Sequence, residues 1–223
     1  VMEVFLERFP NTLKLAFWSI IVAMIISVPL GIAAATHHRT WVDGVSMIAS
    51  MIGVSMPAFW LGILLILLFS LKLGWLPSGG SSSFKSIILP ALTLGTAQAG
   101  NLTRITRSSM LEVIRQDYLR TARAKGVSER HVIYKHALKN ALIPIITILG
   151  STFGNALGGA VVIETVFSWP GVARLTVTAI NTRDMTLATG CIIMFTIFLN
   201  LTLLLVDIAY AYVDPRIKAQ YSK

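Results

Sequence analysis

The sequence predicts an all-α integral membrane protein, a single domain over residues 1–223 built around five transmembrane helices. Three observations carry this prediction. Hydrophobic residues make up 55% of the chain. Charged residues make up only 13%, about half the share found in an ordinary soluble domain. Five windows contain no Asp, Glu, Lys or Arg, namely 15–38, 44–71, 86–103, 140–163 and 185–206. Each window is long enough to cross a bilayer as a helix, which satisfies its own backbone hydrogen bonds.

These windows and the turn signals between them place the individual helices. We expect spans at 13–36, 45–71, 87–108, 138–163 and 186–210. Prolines fall inside the first four of these spans, at Pro29, Pro57, Pro90 and Pro144. Each proline removes one backbone hydrogen bond and should bend its helix. A Gly/Ser-rich external loop should follow the second span, and the segment VARLTVTAI after the fourth should form a short surface helix.

The uneven placement of basic residues predicts the orientation. If successive connections alternate between the two sides, thirteen of the nineteen Lys and Arg residues fall on one side. Because such an excess marks the cytoplasmic side, we expect the C-terminus inside the cell and residues 1–12 as a polar external segment. The net charge of +9 then reflects topology and not a nucleic-acid partner. No signal peptide precedes residue 1, so we expect the native chain to carry a further N-terminal helix.

Uncharged polar residues form stripes on two of the predicted spans. The stripe on the third span contains Thr93, Thr96, Gly100 and Thr103, with Gln98 and Asn101 nearby. The stripe on the fourth contains Thr147, Ser151 and Asn155, beside three glycines spaced by four residues, Gly150, Gly154 and Gly158. The glycines should let another helix pack closely. The polar stripes fit either hydrogen bonding between helices or a pathway for a hydrated solute, and the sequence leaves both open.

Motifs for catalysis, metal binding and nucleotide binding are missing from the sequence. No Lys follows a Gly, so the chain has no P-loop for ATP. H-E-x-x-H, C-x-x-C and G-x-S-x-G are also missing. The adjacent His37 and His38 fit a solvated pair at the end of a span better than a metal site. We therefore expect a protein that is not an enzyme and binds no metal or cofactor itself. Any energy source must lie on another chain.

The most regular polar segment is the predicted cytoplasmic loop at 109–137. One apolar stripe at helical spacing contains Leu111, Ile114, Tyr118 and Ala122. Gly126 should end that helix, and Ser128 should cap the next one. Positive charge alone would suffice to anchor the topology of the chain. The stripe, the glycine and the small residues together favour a docking element.

This loop resembles the cytoplasmic signature of ABC importer permeases, which reads E-A-A, three residues, Gly, nine residues and I-x-L-P. Ala122, Gly126 and Leu138 match it, while Arg120 and Thr121 stand where Glu and Ala are usual. DYLRTARAKG followed by HALKNALIP is similar to the dipeptide, oligopeptide and nickel branch of that family. Further similarities to the branch are GVSMPAFWLG (53–62), LGWLP (73–77), TRSSMLEV (106–113), ETVFSWPGV (164–172) and DPRI (214–217).

The resemblance implies a type I, MetI-like importer permease embedded in the lipid of a bacterial or archaeal cytoplasmic membrane. Such a subunit forms the translocation pathway for peptides or a related small solute, such as a nickel complex or glutathione. Its partners are a homologous second permease subunit in a heterodimer, two ATPase subunits that hold ATP and Mg²⁺, and an extracytoplasmic binding protein. The alternative is a stand-alone secondary transporter or channel, which usually needs charged or ion-coordinating residues in mid-span.

The resemblance also implies roles for individual residues. The element that docks on the ATPase would comprise Asp117, Tyr118, Arg120, Thr121, Ala122, Arg123, Ala124, Lys125 and Gly126. The binding protein would dock near Trp75, Glu164 and Trp169. The two polar stripes are the candidate lining of the translocation pathway.

Overall fold

The protein is helical along nearly all of its described length. The computed structural model describes residues 1–213, and these contain nine α-helices and no strand. The helices are α1 (Met2–Thr36), α2 (Trp41–Ser55), α3 (Ala58–Leu65), α4 (Ile88–Ile114), α5 (Asp117–Ala124), α6 (Glu129–His131), α7 (Leu138–Val166), α8 (Val172–Asn181) and α9 (Met185–Val213). Two π-helical segments extend α3 (Ile66–Lys72) and join α6 to α7 (Val132–Ala137), and a 3-10 turn (Phe84–Ile87) precedes α4. The DPRI motif lies outside the described residues.

Three helical segments are long and apolar enough to cross a membrane, namely Met2–Thr36, Glu129–Val166 and Met185–Val206. They correspond to the first, fourth and fifth predicted spans. The second predicted span is the pair of α2 and α3, which qualifies only if a strongly bent pair counts as one span. The third predicted span is α4, whose polar residues make it too hydrophilic to qualify by composition.

The helix α4 tolerates polar residues because other helices surround it. It packs against α1, α2, α3 and α7. The hydroxyl groups of its buried Thr93, Thr103 and Thr106 donate to carbonyl oxygens four residues earlier, at 2.7–2.8 Å. These threonines therefore satisfy their own hydrogen-bonding groups inside the helix and need no partner on a neighbour.

Two glycines of α4 let neighbouring helices touch its backbone. A Cβ atom at Gly95 would lie 2.5 Å from the carbonyl oxygen of Ser19 on α1. A Cβ atom at Gly100 would collide with Val54 and would lie 2.6 Å from the carbonyl oxygen of Ser50 on α2. The spacing of α1, α2 and α4 is therefore set by the absence of side chains at these two positions.

The first helix begins eleven residues earlier than predicted, so residues 2–12 are helical. Phe5 and Phe9 lie one turn apart on its buried face, and both rings pack on Phe198 of α9, with centroids 5.3 and 5.1 Å apart. Charged residues between these two aromatics disguised the apolar face in the sequence. At 35 residues, α1 is roughly 50 Å long and extends beyond the hydrocarbon of a bilayer.

The second predicted span is broken and not merely bent. The axes of α2 and of α3 with its extension differ by 97°. Met56, between them, is extended with φ −84° and ψ 129°. A residue that precedes proline is driven out of the helical region by the proline ring, so Pro57 separates two helices here.

A second apolar cluster, apart from the one at the centre of the bundle, positions the loop after α4. It joins Ile32 of α1 and Met110 of α4 to Leu119 of α5, and to Val132 and Ala137 before α7. Four separate segments of the chain thus meet at one end of the bundle. The short helix α5 is held there by its buried leucine.

We expect Gly95→Ala to lower the free energy of unfolding by about 1–3 kcal/mol, because the added methyl group forces α1 away from α4. The midpoint of thermal unfolding of the purified protein in detergent measures the effect. Gly44→Ala is the matched control, since a Cβ atom there meets nothing within 4 Å, and it should leave the midpoint unchanged or slightly raised. Equal midpoints for the two variants would contradict the packing described here.

Candidate functional site

The predicted docking element is a separate short helix. α4 ends at Ile114, Gln116 is extended with φ −73° and ψ 146°, and α5 then begins at Asp117. The prediction of one continuous stripe through this region is therefore wrong. Leu119 is fully buried and anchors α5, although the spacing argument did not select it. The signal that could have found it is that Leu119 is the only large aliphatic residue in α5.

Gly126 ends α5 where the sequence predicts it. Its φ of +78° lies in the left-handed region that glycine adopts without strain. The Gly126 N–H donates to the carbonyl oxygen of Arg123 at 2.9 Å, and the Val127 N–H donates to that of Ala122 at 3.3 Å. Ser128 occupies the predicted N-cap position of α6, but its hydroxyl makes no capping hydrogen bond.

An ion pair fixes the angle between α5 and α6. Arg123 donates from Nε to Glu129 Oε2 at 2.9 Å and from Nη2 to Oε1 at 2.8 Å. Hydrogen bonding to this carboxylate raises the pKa of Arg123 above its usual range, as is typical of bidentate pairs. The charge of Arg123, predicted from resemblance to meet the ATPase, thus has a partner within the chain.

The rest of α5 faces away from the protein. We call this face the coupling surface, and it comprises Asp117, Tyr118, Arg120, Thr121, Ala124 and Lys125, all of them exposed. Arg120 and Asp117 approach each other only to 3.7 Å, with side chains 78% and 96% exposed. Pairs that exposed contribute little to stability, so both groups remain available to another protein. Ala122 is half-buried beneath this surface.

Tyr118 connects the coupling surface to α7. The Asn140 side chain donates from Nδ2 to Tyr118 Oη at 2.7 Å, and Tyr118 Oη donates to the carbonyl oxygen of His136 at 3.4 Å. An open cleft of about 380 Å³ lies beside this contact, between the end of α4 and the part of α7 around Pro144. A displacement of α5 therefore reaches α7 through a short chain of contacts.

A charge cluster ties the turn between α1 and α2 to α4. Asp43 accepts hydrogen bonds from Nε and Nη2 of Arg107, both at 2.7 Å, and from the Arg39 N–H at 3.1 Å. His38 Nδ1 lies 3.1 Å from Asp43 Oδ2 and 3.0 Å from Arg107 Nη2. His38 is therefore part of this cluster and not of a solvated histidine pair. The cluster could not be predicted from the sequence because 64 residues separate Asp43 from Arg107.

A second network holds the turn before α8. Glu164 accepts hydrogen bonds from Thr12 Oγ1 at 2.6 Å and from the Arg174 N–H, in the first turn of α8, at 2.9 Å. The Trp169 indole N–H donates to the carbonyl oxygen of Asn11 at 3.0 Å. Glu164 is 0% exposed and Trp169 is 4% exposed. The prediction that these two side chains contact a binding protein is therefore wrong, because both are buried and hold the turn from inside the protein.

The polar stripes divide into packed and exposed residues. Thr93 and Thr96 lie in helix contacts, against Gly62 of α3 and Gly53 of α2 respectively. Gln98 is half-buried. The exposed members are Asn101, Thr147, Ser151 and Asn155. Toward its start, the stripe on α4 thus serves helix packing, whereas the stripe on α7 forms an exposed polar edge.

The three glycines of α7 differ in how closely they pack against other helices of this chain. A Cβ atom at Gly154 would lie 3.3 Å from the end of the Leu203 side chain of α9, which is tighter than an ordinary van der Waals contact. A Cβ atom at Gly158 would meet nothing within 4 Å, and Gly150 is half-buried. The face of α7 that carries Gly158 is therefore open.

Comparisons with known sequences agree with this geometry. A family model described as "Binding-protein-dependent transport system inner membrane component" matches residues 27–219. The glutathione transport system permease protein GsiC of Salmonella typhi is 46% identical over 218 residues, which are 98% of this chain and 71% of that protein. GsiC of Escherichia coli (strain K12) is 46% identical over 212 residues, 95% of this chain and 69% of the relative.

Solved structures share the fold. An inward-facing MetNI methionine ABC transporter gives a TM-score of 0.79 at 17% identity, covering 96% of this chain and 97% of that one. An amino acid ABC transporter crystallised with histidines gives 0.70 at 13% identity, covering 96% and 94%. The chain therefore belongs to the family of binding-protein-dependent transport system inner membrane components. It is a multi-pass permease subunit of an ABC importer, which confirms the predicted family and fold and decides against a stand-alone channel.

We expect Asp43→Asn to lower the free energy of unfolding by about 2 kcal/mol, because Arg107 then loses the carboxylate that accepts both its hydrogen bonds. Thermal unfolding of the purified protein in detergent measures the change. The control is Glu7→Gln, since the carboxylate of Glu7 lies 4.0 Å from Arg8 and is 71% exposed, and this change should have no measurable effect. A wild-type midpoint for Asp43→Asn would show that the cluster contributes nothing.

Proposed function

We propose that this subunit imports glutathione or another small peptide, driven by ATP and Mg²⁺ held on separate ATPase subunits that dock on α5. Both relatives described above are glutathione permeases by name, which favours a peptide-like solute over a nickel complex. The sequence has no P-loop of its own. The observation that carries the proposal is the coupling surface, an exposed and partly cationic helix face whose base is held in place by the chain.

The base of α5 is rigid because three interactions act together. Leu119 is buried among three other segments, Gly126 closes the helix end, and the pair of Arg123 and Glu129 fixes the following turn. A rigid element transmits a displacement instead of absorbing it, since packed interfaces shift between discrete arrangements. When the ATPase subunits close on ATP, α5 moves as a unit, and Tyr118 carries the movement to α7.

The exposed polar edge of α7 supports a translocation pathway between two permease subunits. Thr147, Ser151 and Asn155 are exposed on a largely apolar helix, and a Cβ atom at the neighbouring Gly158 would meet no described atom within 4 Å. Inside a membrane, polar side chains face water or protein and not lipid. A homologous second permease subunit packed across this edge would enclose a polar path between the two chains.

The opposite end of the bundle suits a binding protein. Trp75 is 65% exposed in the loop after α3, and the same loop is fastened to the turn before α8 by the Gly80 N–H, which donates to the carbonyl oxygen of Phe167 at 3.0 Å. This end would face outward, and the coupling surface and the C-terminus would face the cytoplasm, in line with the excess of basic residues on that side.

We expect the double variant Arg120→Glu/Lys125→Glu to lose co-purification of the ATPase subunits and to lower solute uptake at least about tenfold, because charge reversal repels a complementary acidic surface. Co-purification from membranes and uptake into cells measure the two effects. Lys72→Glu, a charge reversal at the far end of the bundle, should leave both unchanged. Full ATPase association together with full uptake in the double variant would refute docking at the coupling surface.

The ion pair within the loop has its own test. We expect Arg123→Glu to lower uptake because it places two carboxylates side by side in the turn after α5. The swap Arg123→Glu/Glu129→Arg should restore most of the uptake, since it rebuilds the pair with the charges exchanged. Failure of the swap to restore uptake would mean that Arg123 acts on the ATPase directly, as the family resemblance first implied.

A further inference from the structure

Arg104, on α4, has no acidic partner among the residues that the structure describes. Among the residues that the structure describes, no carboxylate lies within 4.0 Å of it, and its Nη2 donates to Asn101 Oδ1 at 3.1 Å. Arg107, three residues later, is fully paired with Asp43. The two arginines are neighbours on one helix, yet within the described part of the chain only Arg107 has its charge balanced by a carboxylate.

The direction of the Arg104 side chain is informative. α4 has 27 residues, and Asn101 is the fourteenth of them, so the guanidinium points toward the midpoint of the helix. A long cationic side chain that faces lipid near a helix end extends toward the nearer interface. Arg104 extends the other way, away from Ile114. An ionisable side chain that points toward the midpoint of a membrane helix needs polar surroundings, which a solute pathway would provide.

Arg104 and Asn101 form one side of an open recess of about 180 Å³ between α2 and α4. Met47, Met51 and Val54 line the other side. Methionine side chains adapt to differently shaped apolar groups. The recess thus combines a fixed cationic donor with an adaptable apolar wall, and its volume suits one end of a small peptide.

The polar character continues along α4 from Arg104 toward the middle of the helix. Gln98 lies three residues before Asn101, and both its amide atoms, Oε1 and Nε2, are buried without a hydrogen-bond partner in the described part of the chain. Buried amide groups are normally paired with protein or water. A polar solute or water that enters beside Asn101 would supply the missing partners.

We propose that Arg104, oriented by Asn101, binds a free carboxylate of the transported solute in this recess. A guanidinium has five N–H donors in a fork that matches a carboxylate, and Asn101 uses only one of them. The inference rests on the proposed pathway and adds to it the group that the permease recognises. The solute class is therefore a small peptide with a free carboxylate, held by its charged end.

The test uses the complete importer, with its ATPase subunits and binding protein, reconstituted in liposomes. We expect Arg104→Gln to lower glutathione uptake roughly ten- to a hundredfold, as loss of a charge-assisted contact predicts, and Arg104→Lys to keep part of it. Lys139→Gln, which removes an exposed cation of α7, should match wild type. Wild-type uptake by Arg104→Gln would overturn the inference. The inference would also be overturned if Arg104→Gln and Arg104→Lys lowered glutathione uptake equally and both lost the second permease subunit, because Arg104 would then serve assembly and not solute binding.

Labelling separates this inference from the proposed pathway. In a chain with the buried Cys191 replaced by Ala, the Met51→Cys variant places a thiol in the recess and keeps Arg104, and it should react with a water-soluble methanethiosulfonate reagent. S-methylglutathione, which has no thiol to consume the reagent, should protect it, and the diethyl ester of S-methylglutathione should not. Adding Arg104→Gln to this variant should abolish the protection. Labelling without protection would leave the pathway standing and refute carboxylate binding. No labelling at all would refute the pathway as well. The same protection experiment with the tripeptide Ala-Ala-Ala and its C-terminal amide tests a peptide other than glutathione. Protection by the free tripeptide alone would show that the recess binds the carboxylate of that peptide.

Discussion

The close contact of α4 with the backbones of α1 and α2 is the constraint on which the rest of the structure depends. It exists because Gly95 and Gly100 carry no side chain where Ser19 and Ser50 approach them. With neighbours this near, α4 is surrounded by protein and can carry threonines that bond back to their own helix. This packing also fixes the later part of α4 beside Asp43, where Arg107 pairs with it.

Two networks at opposite ends of the bundle fasten segments that are far apart in sequence. At one end Asp43 and Arg107 join the turn after α1 to α4, and at the other end Glu164 joins α1 to the start of α8. In both, one carboxylate accepts several hydrogen bonds, which compensates the loss of hydration on burial. The short helix α5 is connected to α4 by only two residues. It is held to the bundle by the buried Leu119 and by the hydrogen bonds of Tyr118 to α7 and the segment before it. A partner that displaces α5 therefore also acts on α7.

Local features of the coupling loop could be predicted because they depend on a few adjacent residues. A glycine at position 126 favours a left-handed helix end, and Ser128 favours the start of the next helix, whatever surrounds them. Leu119 and the pair of Arg123 with Glu129 could not be selected in this way. The helix α4 ends at Ile114, and α5 therefore does not continue the apolar stripe of α4. Which residues of α5 face the bundle depends on this break. Likewise, the packing of Phe5 and Phe9 on Phe198 depends on a helix almost 200 residues away.

The order of the amino acids was enough to predict a helical membrane protein, the positions of most of its spans, the lack of a P-loop and the turn in the coupling loop. These properties depend on hydrophobicity, charge and backbone preference, which act over a few residues at a time. The folded structure was needed to establish which polar residues of the spans are packed and which are exposed, and that Glu164 and Trp169 are buried. It also showed that, among the described residues, Arg107 has an acidic partner and Arg104 has none. Each of these depends on which distant segments meet, and the free energy of such contacts is set by distance and burial in the folded protein.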